Sequence, residues 1–288
     1  MKRLLLATSL TLAAAGHAAA ADRSSATEAE LAPLFASTTY VVVTNDNIIL
    51  DAQLQDAAKR LWTLTPHKII SKDEFKELRK DANSSFLMIT TIVENGDRRR
   101  QRYFYLNLLM GSEKAAENLN ALPEVVAIPM ACEERSGEIP TTMLDPMLLF
   151  AQKHAENRKD KAFEGRLLAS FQQPLQAYNY DMAQLKGKTI YVDPADVDPK
   201  VKVADMEKRE GNPFRFVGPD ELARVVSEQV ADAVVAFTIY PHGGDKDGFG
   251  YKMLMGTDGA LYYYYYELKR KNFLFQKNDF EKISRSLK

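Results

Sequence analysis

His67, His154 and His242 stand far apart in the sequence, with no His-x-His, His-Glu-x-x-His or Cys-x-x-Cys spacing, so no zinc-binding pattern is present. Oxygen ligands are offered by Asp193, Asp196 and Asp198, and by Asp245 and Asp247 among Gly243, Gly244 and Gly248. Neither cluster follows the calcium-loop register that ends in a bidentate Glu, and Asp and Gly are also what tight turns require. Turns without a bound metal are therefore expected. The single cysteine, Cys132, sits in Ala-Cys-Glu-Glu, where neighbouring carboxylates raise a thiol pKa, and no Gly-x-Ser-x-Gly occurs. The run Gly243 to Gly250 lacks the Lys-Ser/Thr ending of a phosphate-binding loop, and no cofactor is expected. Acid pairs for glycoside hydrolysis are defined by separation in space, so the 39 carboxylates leave that chemistry open.

Aromatic and basic clusters suggest binding instead. Tyr262 to Tyr266 are five consecutive tyrosines. Strand alternation assigns Tyr262, Tyr264 and Tyr266, with Leu268, to a core face, and turns Tyr263 and Tyr265 outward with Glu267. Tyr103 and Tyr105 form a similar outward pair on an earlier strand, opposite Phe104, Leu106, Leu108 and Met110. Rings with polar tips suit a protein or glycan partner. Arg98, Arg99 and Arg100, with Arg102, and Lys269-Arg270-Lys271 gather at hairpins, where they suit an acidic partner or an anionic envelope polymer. The candidate binding residues are Tyr263, Tyr265, Tyr103, Tyr105, Arg99 and Arg100. The competing expectation is that both sheet faces are covered and the arginines are solvated turns.

The elements carrying these residues occur twice. His67 to Val93 (HKIISKDEFKELRKDANSSFLMITTIV) and Phe214 to Tyr240 (FRFVGPDELARVVSEQVADAVVAFTIY) share length, pattern and a Thr-Ile near the end. Each predicts a short strand, a helix opened by an acidic pair (Asp73-Glu74, Asp220-Glu221) and an apolar strand. Ser71 with Glu74 forms a capping box. Upstream, Tyr40 to Val43 is matched by Lys188 to Val192 as a further strand. Leu50, Leu54, Ala57, Ala58 and Leu61 fit a long helix in the first copy, whereas the second has a turn and a short segment around Val201 to Glu210. Downstream, a turn leads to a returning strand that carries Met-Gly in both copies (Met110-Gly111, Met255-Gly256). A further strand and a helix close each copy. The predicted fold is α/β (α+β): two tandem repeats with a strand-helix-strand-helix-strand-strand core, each a mixed sheet with helices mainly on one face. The modules are 38–161 and 188–288, joined by an apolar, packed connector over 162–187, and 22–37 reads as a flexible N-terminus.

Residues 1–21 combine Lys2 and Arg3, an apolar run and small residues at an A-x-A site, the layout of a cleaved secretory signal peptide. No Cys follows for lipid attachment, and no later run is long and apolar enough to span a membrane. Cleavage would leave 36 basic against 39 acidic residues, a balance that offers no field for nucleic acid. A periplasmic or secreted location is expected.

The stretch Phe214 to Tyr240, with Ala231-Asp232-Ala233-Val234-Val235 entering its apolar strand, resembles the α/β module of the TolB amino-terminal domain and of the CsgG-like cell-envelope proteins. The resemblance covers that span and, more faintly, His67 to Val93. It implies a binding or scaffolding module and carries no catalytic residue. The chain has neither the β-propeller repeat of TolB nor the lipoprotein cysteine of CsgG-like proteins. The expected function is thus that of an exported, non-catalytic bacterial envelope or secreted protein that binds a protein or glycan. The alternative is an exported hydrolase of glycan or peptide, with acids meeting at the cleft between modules.

Overall fold

The computed structural model describes residues 25–93, 102–116, 118–132, 139–170, 174–208, 211–241, 249–268 and 273–287. The first module opens with β1 (Thr39–Val43), whose Val41 and Val42 are buried on opposite faces. Helix α2 (Ile48–Leu61) follows, after a short N-terminal helix α1 (Glu28–Leu31), and lays Leu50, Leu54, Ala57 and Ala58 into the core. Asn47 caps it by accepting from the Leu50 amide at 3.0 Å, a contact worth about 1 kcal/mol. Strand β2 (His67–Ser71) leads into α3 (Lys72–Leu78), started by the expected capping box of Ser71 and Glu74. Strands β3 (Ser85–Val93), β4 (Arg102–Met110) and β5 (Glu124–Cys132) then run antiparallel in sequence before α4 (Leu144–Asn157).

The second module repeats this order. It contains β6 (Thr189–Val192), the short α6 (Val203–Glu207), β7 (Phe214–Phe216), α7 (Pro219–Ser227), β8 (Ala233–Ile239), β9 (Phe249–Gly256), β10 (Leu261–Leu268) and α8 (Lys277–Ser286). The first sheet has strand order β2-β1-β3-β4-β5 and the second β7-β6-β8-β9-β10, so each strand finds its counterpart at the same place. In both sheets three parallel strands continue into two antiparallel ones. Ile92 and Ile239, from the shared Thr-Ile, stand opposite Tyr103 and Tyr251, which makes those tyrosines ladder equivalents. The shared Met-Gly is not equivalent in this sense: Met110 faces Ser85, whereas Met255 faces Val235.

One apolar cluster runs through both modules, from Val41, Leu54 and Leu106 to Val235, Phe237 and Tyr251. Helix α4 lies at its centre, against α2, β4 and β5 and also α7. Gly259, in the turn between β9 and β10, rests on it so closely that a Cβ there would stand 2.6 Å from the Leu149 Cβ and the Phe150 nitrogen. A helix enclosed between two modules must be apolar nearly all round, and Leu144, Met147, Leu148, Phe150, Ala151 and Ala155 are all buried. The connector, α5 (Lys161–Ala169) and a 3₁₀ segment (Pro174–Leu185), packs across both modules: Phe163 and Tyr178 join the shared core, Met182 and Leu185 the second module's outer core. Asn179 exchanges two hydrogen bonds with the Tyr264 backbone (2.7 and 3.0 Å), covering the edge strand β10.

Three local expectations are corrected. The N-terminus is not flexible from Ser25 onward: Ser25 bridges to Glu124, Leu31 and Leu34 are buried, and Arg158 donates to the Ala26 carbonyl. Its apolar residues lie at helical spacing, which a reading of small and polar composition overlooked. The closing strand is reduced to one bridge between Val197 and Phe275. The third concerns the tyrosines and follows below.

Candidate functional site

Of the four tyrosines expected to face outward, Tyr103, Tyr105 and Tyr263 are buried, whereas Tyr265 is half-buried and lines an open pocket together with the edge of Tyr263. Tyr103 and Tyr105 are 1% and 4% exposed, because β4 meets the second module there. The Tyr103 hydroxyl accepts from the Phe249 amide (3.0 Å) and donates to the Phe249 carbonyl (3.3 Å), and the Tyr105 and Tyr251 hydroxyls lie 2.5 Å apart. The polar tips that suggested an external partner are satisfied within the chain. Tyr263 is 2% exposed, beneath α8, with the Lys282 ammonium 4.9 Å from its ring centre. Tyr265 is half-buried on the same side, near Lys252. The ladder shifts between Leu261 and Tyr263, so Leu261 shares a face with Tyr264 and Tyr266, while Tyr262 joins Tyr263 and Tyr265. Strict alternation fails at that bulge. Arg99 and Arg100 lie outside the described residues, as do His242, Asp245 and Asp247.

The aspartates of 193–198 form turns. Asp193 accepts from the Ala195 amide and Asp198 from the Lys200 amide, both within the loop. Asp196 instead reaches across the sheet and accepts from the hydroxyl and amide of Thr238. Burial pushes its carboxyl up to about 6, against the lowering effect of those hydrogen bonds. Among the described residues no group of three His, Cys, Asp or Glu side chains could hold a metal ion. His154 is enclosed by Phe150, Phe163 and Tyr178. Its Nδ1 shares a hydrogen bond of 2.9 Å with the Tyr178 hydroxyl, the direction of which follows the tautomer. Burial, aided by Arg158, holds the imidazole neutral, with its pKa lowered to about 3. Such a histidine fastens the connector to α4 and is shielded from substrate.

One open site between modules is a groove of about 720 Å³ between α2 and α7, with the start of α4 at its base. The turn before α2 creates one wall. Asn45 takes a positive φ of 61°, and the Asp51 carboxylate accepts from the Thr44 and Asn45 amides. Helix α2 therefore begins abruptly, with Ile48 and Ile49 in its first turn, off the buried stripe, and 76% and 73% exposed. They place two adjacent large apolar side chains in solvent beside the concavity. Opposite them α7 offers Ala223, Val226 and Ser227, small enough for close backbone approach. At the end, Arg60 donates to Asp56 at 2.7 Å and binds Asp145 through two contacts of 2.9 Å. Asp145 first, then Asp56, raises the pKa of that guanidinium. The acids of the cleft are thus joined in an ionic strut between α2 and α4.

Buried periodicity does not reveal this site, because Ile48 and Ile49 lie off the helical stripe. The available signal was Ile48-Ile49 directly before a stripe that begins at Leu50. Comparison with protein-family models, curated proteins and solved structures found no match.

Proposed function

We propose that the chain is an exported, non-catalytic bacterial envelope or secreted protein that binds a protein partner through the groove between α2 and α7. The observation that carries this reading is the exposed Ile48-Ile49 pair on that groove. Burial of both side chains by a partner would contribute about 1.5–3 kcal/mol each. The groove favours a polypeptide over a glycan, since among the described residues no aromatic ring lines it for a sugar to stack on. Two helices flanking a trough suit an amphipathic helix of the partner, with apolar anchors one turn apart. The α2 wall has 14 residues and runs roughly 21 Å.

The leader-like residues 1–21 support export, and the absence among the described residues of a helix long and apolar enough to cross a membrane agrees with it. The resemblance of Phe214 to Tyr240 to envelope binding modules points the same way. The hydrolase alternative is less favoured because Asp56 and Asp145 share one guanidinium instead of standing as an acid and a base. The deciding experiment is cross-linking in the native cell with wild type and with Ile48→Asp/Ile49→Asp. Loss of a captured protein while the thermal unfolding midpoint is kept supports the groove. Unchanged capture removes it.

A further inference from the structure

The second module contains a cavity that the first has closed. In the first module α2 and α4 seal against each other: Gln152 accepts from the Thr63 and Leu64 amides (2.7 and 2.9 Å) and donates to the Leu61 carbonyl (3.0 Å), and Arg60 binds Asp145. Their counterparts in the repeat are α6 and α8. Helix α6 has only 5 residues where α2 has 14, so it cannot reach along its partner. The space left is a cavity of about 900 Å³, at the upper end of the range for small-molecule sites.

Its lining is chemically divided. Val201, Met206, Phe214 and Phe280 form apolar walls. Lys200, Lys202, Lys277 and Arg285 stand around them, against Asp205 and Glu281. Lys277 pairs with Glu281 at 3.6 Å. Arg285 donates only to the Glu281 backbone carbonyl, and neither it nor Lys200 nor Lys202 has a carboxylate partner among the described residues. Among the described lining residues, three cations without a carboxylate partner stand beside one such acid, Asp205, an excess of positive charge at the rim of partly apolar walls. An alkyl chain gains by leaving water on such walls, and an anionic head group gains from the rim.

We propose that the cavity between α6 and α8 binds an anionic amphiphile, a medium-chain carboxylate whose chain lies along Met206, Phe214 and Phe280 while its head group meets Lys200, Lys202 and Arg285. The site is separate from the α2–α7 groove and stands or falls independently of it. Isothermal titration of the purified full chain with decanoate, decyltrimethylammonium and decanol, each below its micelle concentration, tests the assignment. Decanoate is expected to bind saturably at one site, with the cationic and neutral probes at least about tenfold weaker. Lys202→Glu/Arg285→Glu changes two exposed side chains, so it should leave thermal unfolding unchanged and weaken decanoate at least about tenfold. Ile48→Asp/Ile49→Asp should leave decanoate binding intact. Equal affinity for the two charged probes, no saturable binding, or indifference to the charge reversal would overturn the site.

Discussion

Helices α4 and α8 close their modules at the same place in the repeat, yet they are made differently. In α4, LDPMLLFAQKHAEN, nine residues are buried and even Gln152 and His154 point inward. In α8, KNDFEKISRS, only Phe280 and Ile283 are buried. The difference is what lies beyond each helix. A second module covers the far side of α4, whereas solvent and open cavities flank α8. Position in a repeat fixes which strands a helix follows; the number of surfaces that meet it fixes its composition.

Substitutions should divide along that line. Ala151→Asp on α4 introduces a charge where two modules meet and should cost on the order of 3–5 kcal/mol or more. Both modules should unfold together in one shifted urea transition. Asn278→Asp on the exposed start of α8 should stay within about 0.5 kcal/mol of wild type. The next effect concerns how α8 is held. Lys252, nearly buried on β9, pairs with Asp279 at 2.7 Å. Lys252→Met should cost roughly 2 kcal/mol, less than a fully buried pair, because Asp279 retains the Gln276 amide. Adding Asp279→Asn should recover most of it, measured by denaturant midpoint.

The same contrast extends to pH. His154 of α4 titrates near its usual value in the unfolded chain but only at about 3 in the folded one. Between these values the unfolded state holds the extra proton, so stability falls as pH is lowered from about 6.5 toward 3. His154→Gln should flatten that slope in urea midpoints recorded from pH 7 to 4. Asp196 of the second module acts in the opposite sense. With its carboxyl at about 6, the folded state holds the extra proton above the ordinary aspartate range, and stability is lost as pH rises through 6. Asp196→Asn should therefore raise the midpoint at pH 8, by about 1 kcal/mol or less given its partial exposure, and leave it unchanged at pH 4.

The architecture was largely legible in the sequence, because each signal was local. The Ser71-Glu74 box, the α2 stripe and the duplicated strand-helix-strand pattern depend on neighbouring residues, and all lie where expected. The candidate site was not, for two reasons. Tyr103 and Tyr105 looked outward because alternation defines two faces of a strand without saying that a second sheet covers one of them. The pentatyrosine strand changed phase at a bulge that five identical side chains cannot reveal. The groove, in turn, exists only where α2 and α7, distant in sequence, approach each other around α4.

The contact of Tyr103 with Tyr251 can be viewed as a dimer interface written into one polypeptide. Equivalent residues meet edge to face, with ring centres 6.5 Å apart, as they do across the twofold axis of a symmetric pair. Two separate halves would come apart on dilution, but tethered ones meet at an effective concentration set by the connector. The association therefore survives at any protein concentration. Freed from serving both sides of an axis, the two halves can also differ, as the 14-residue α2 and the 5-residue α6 do.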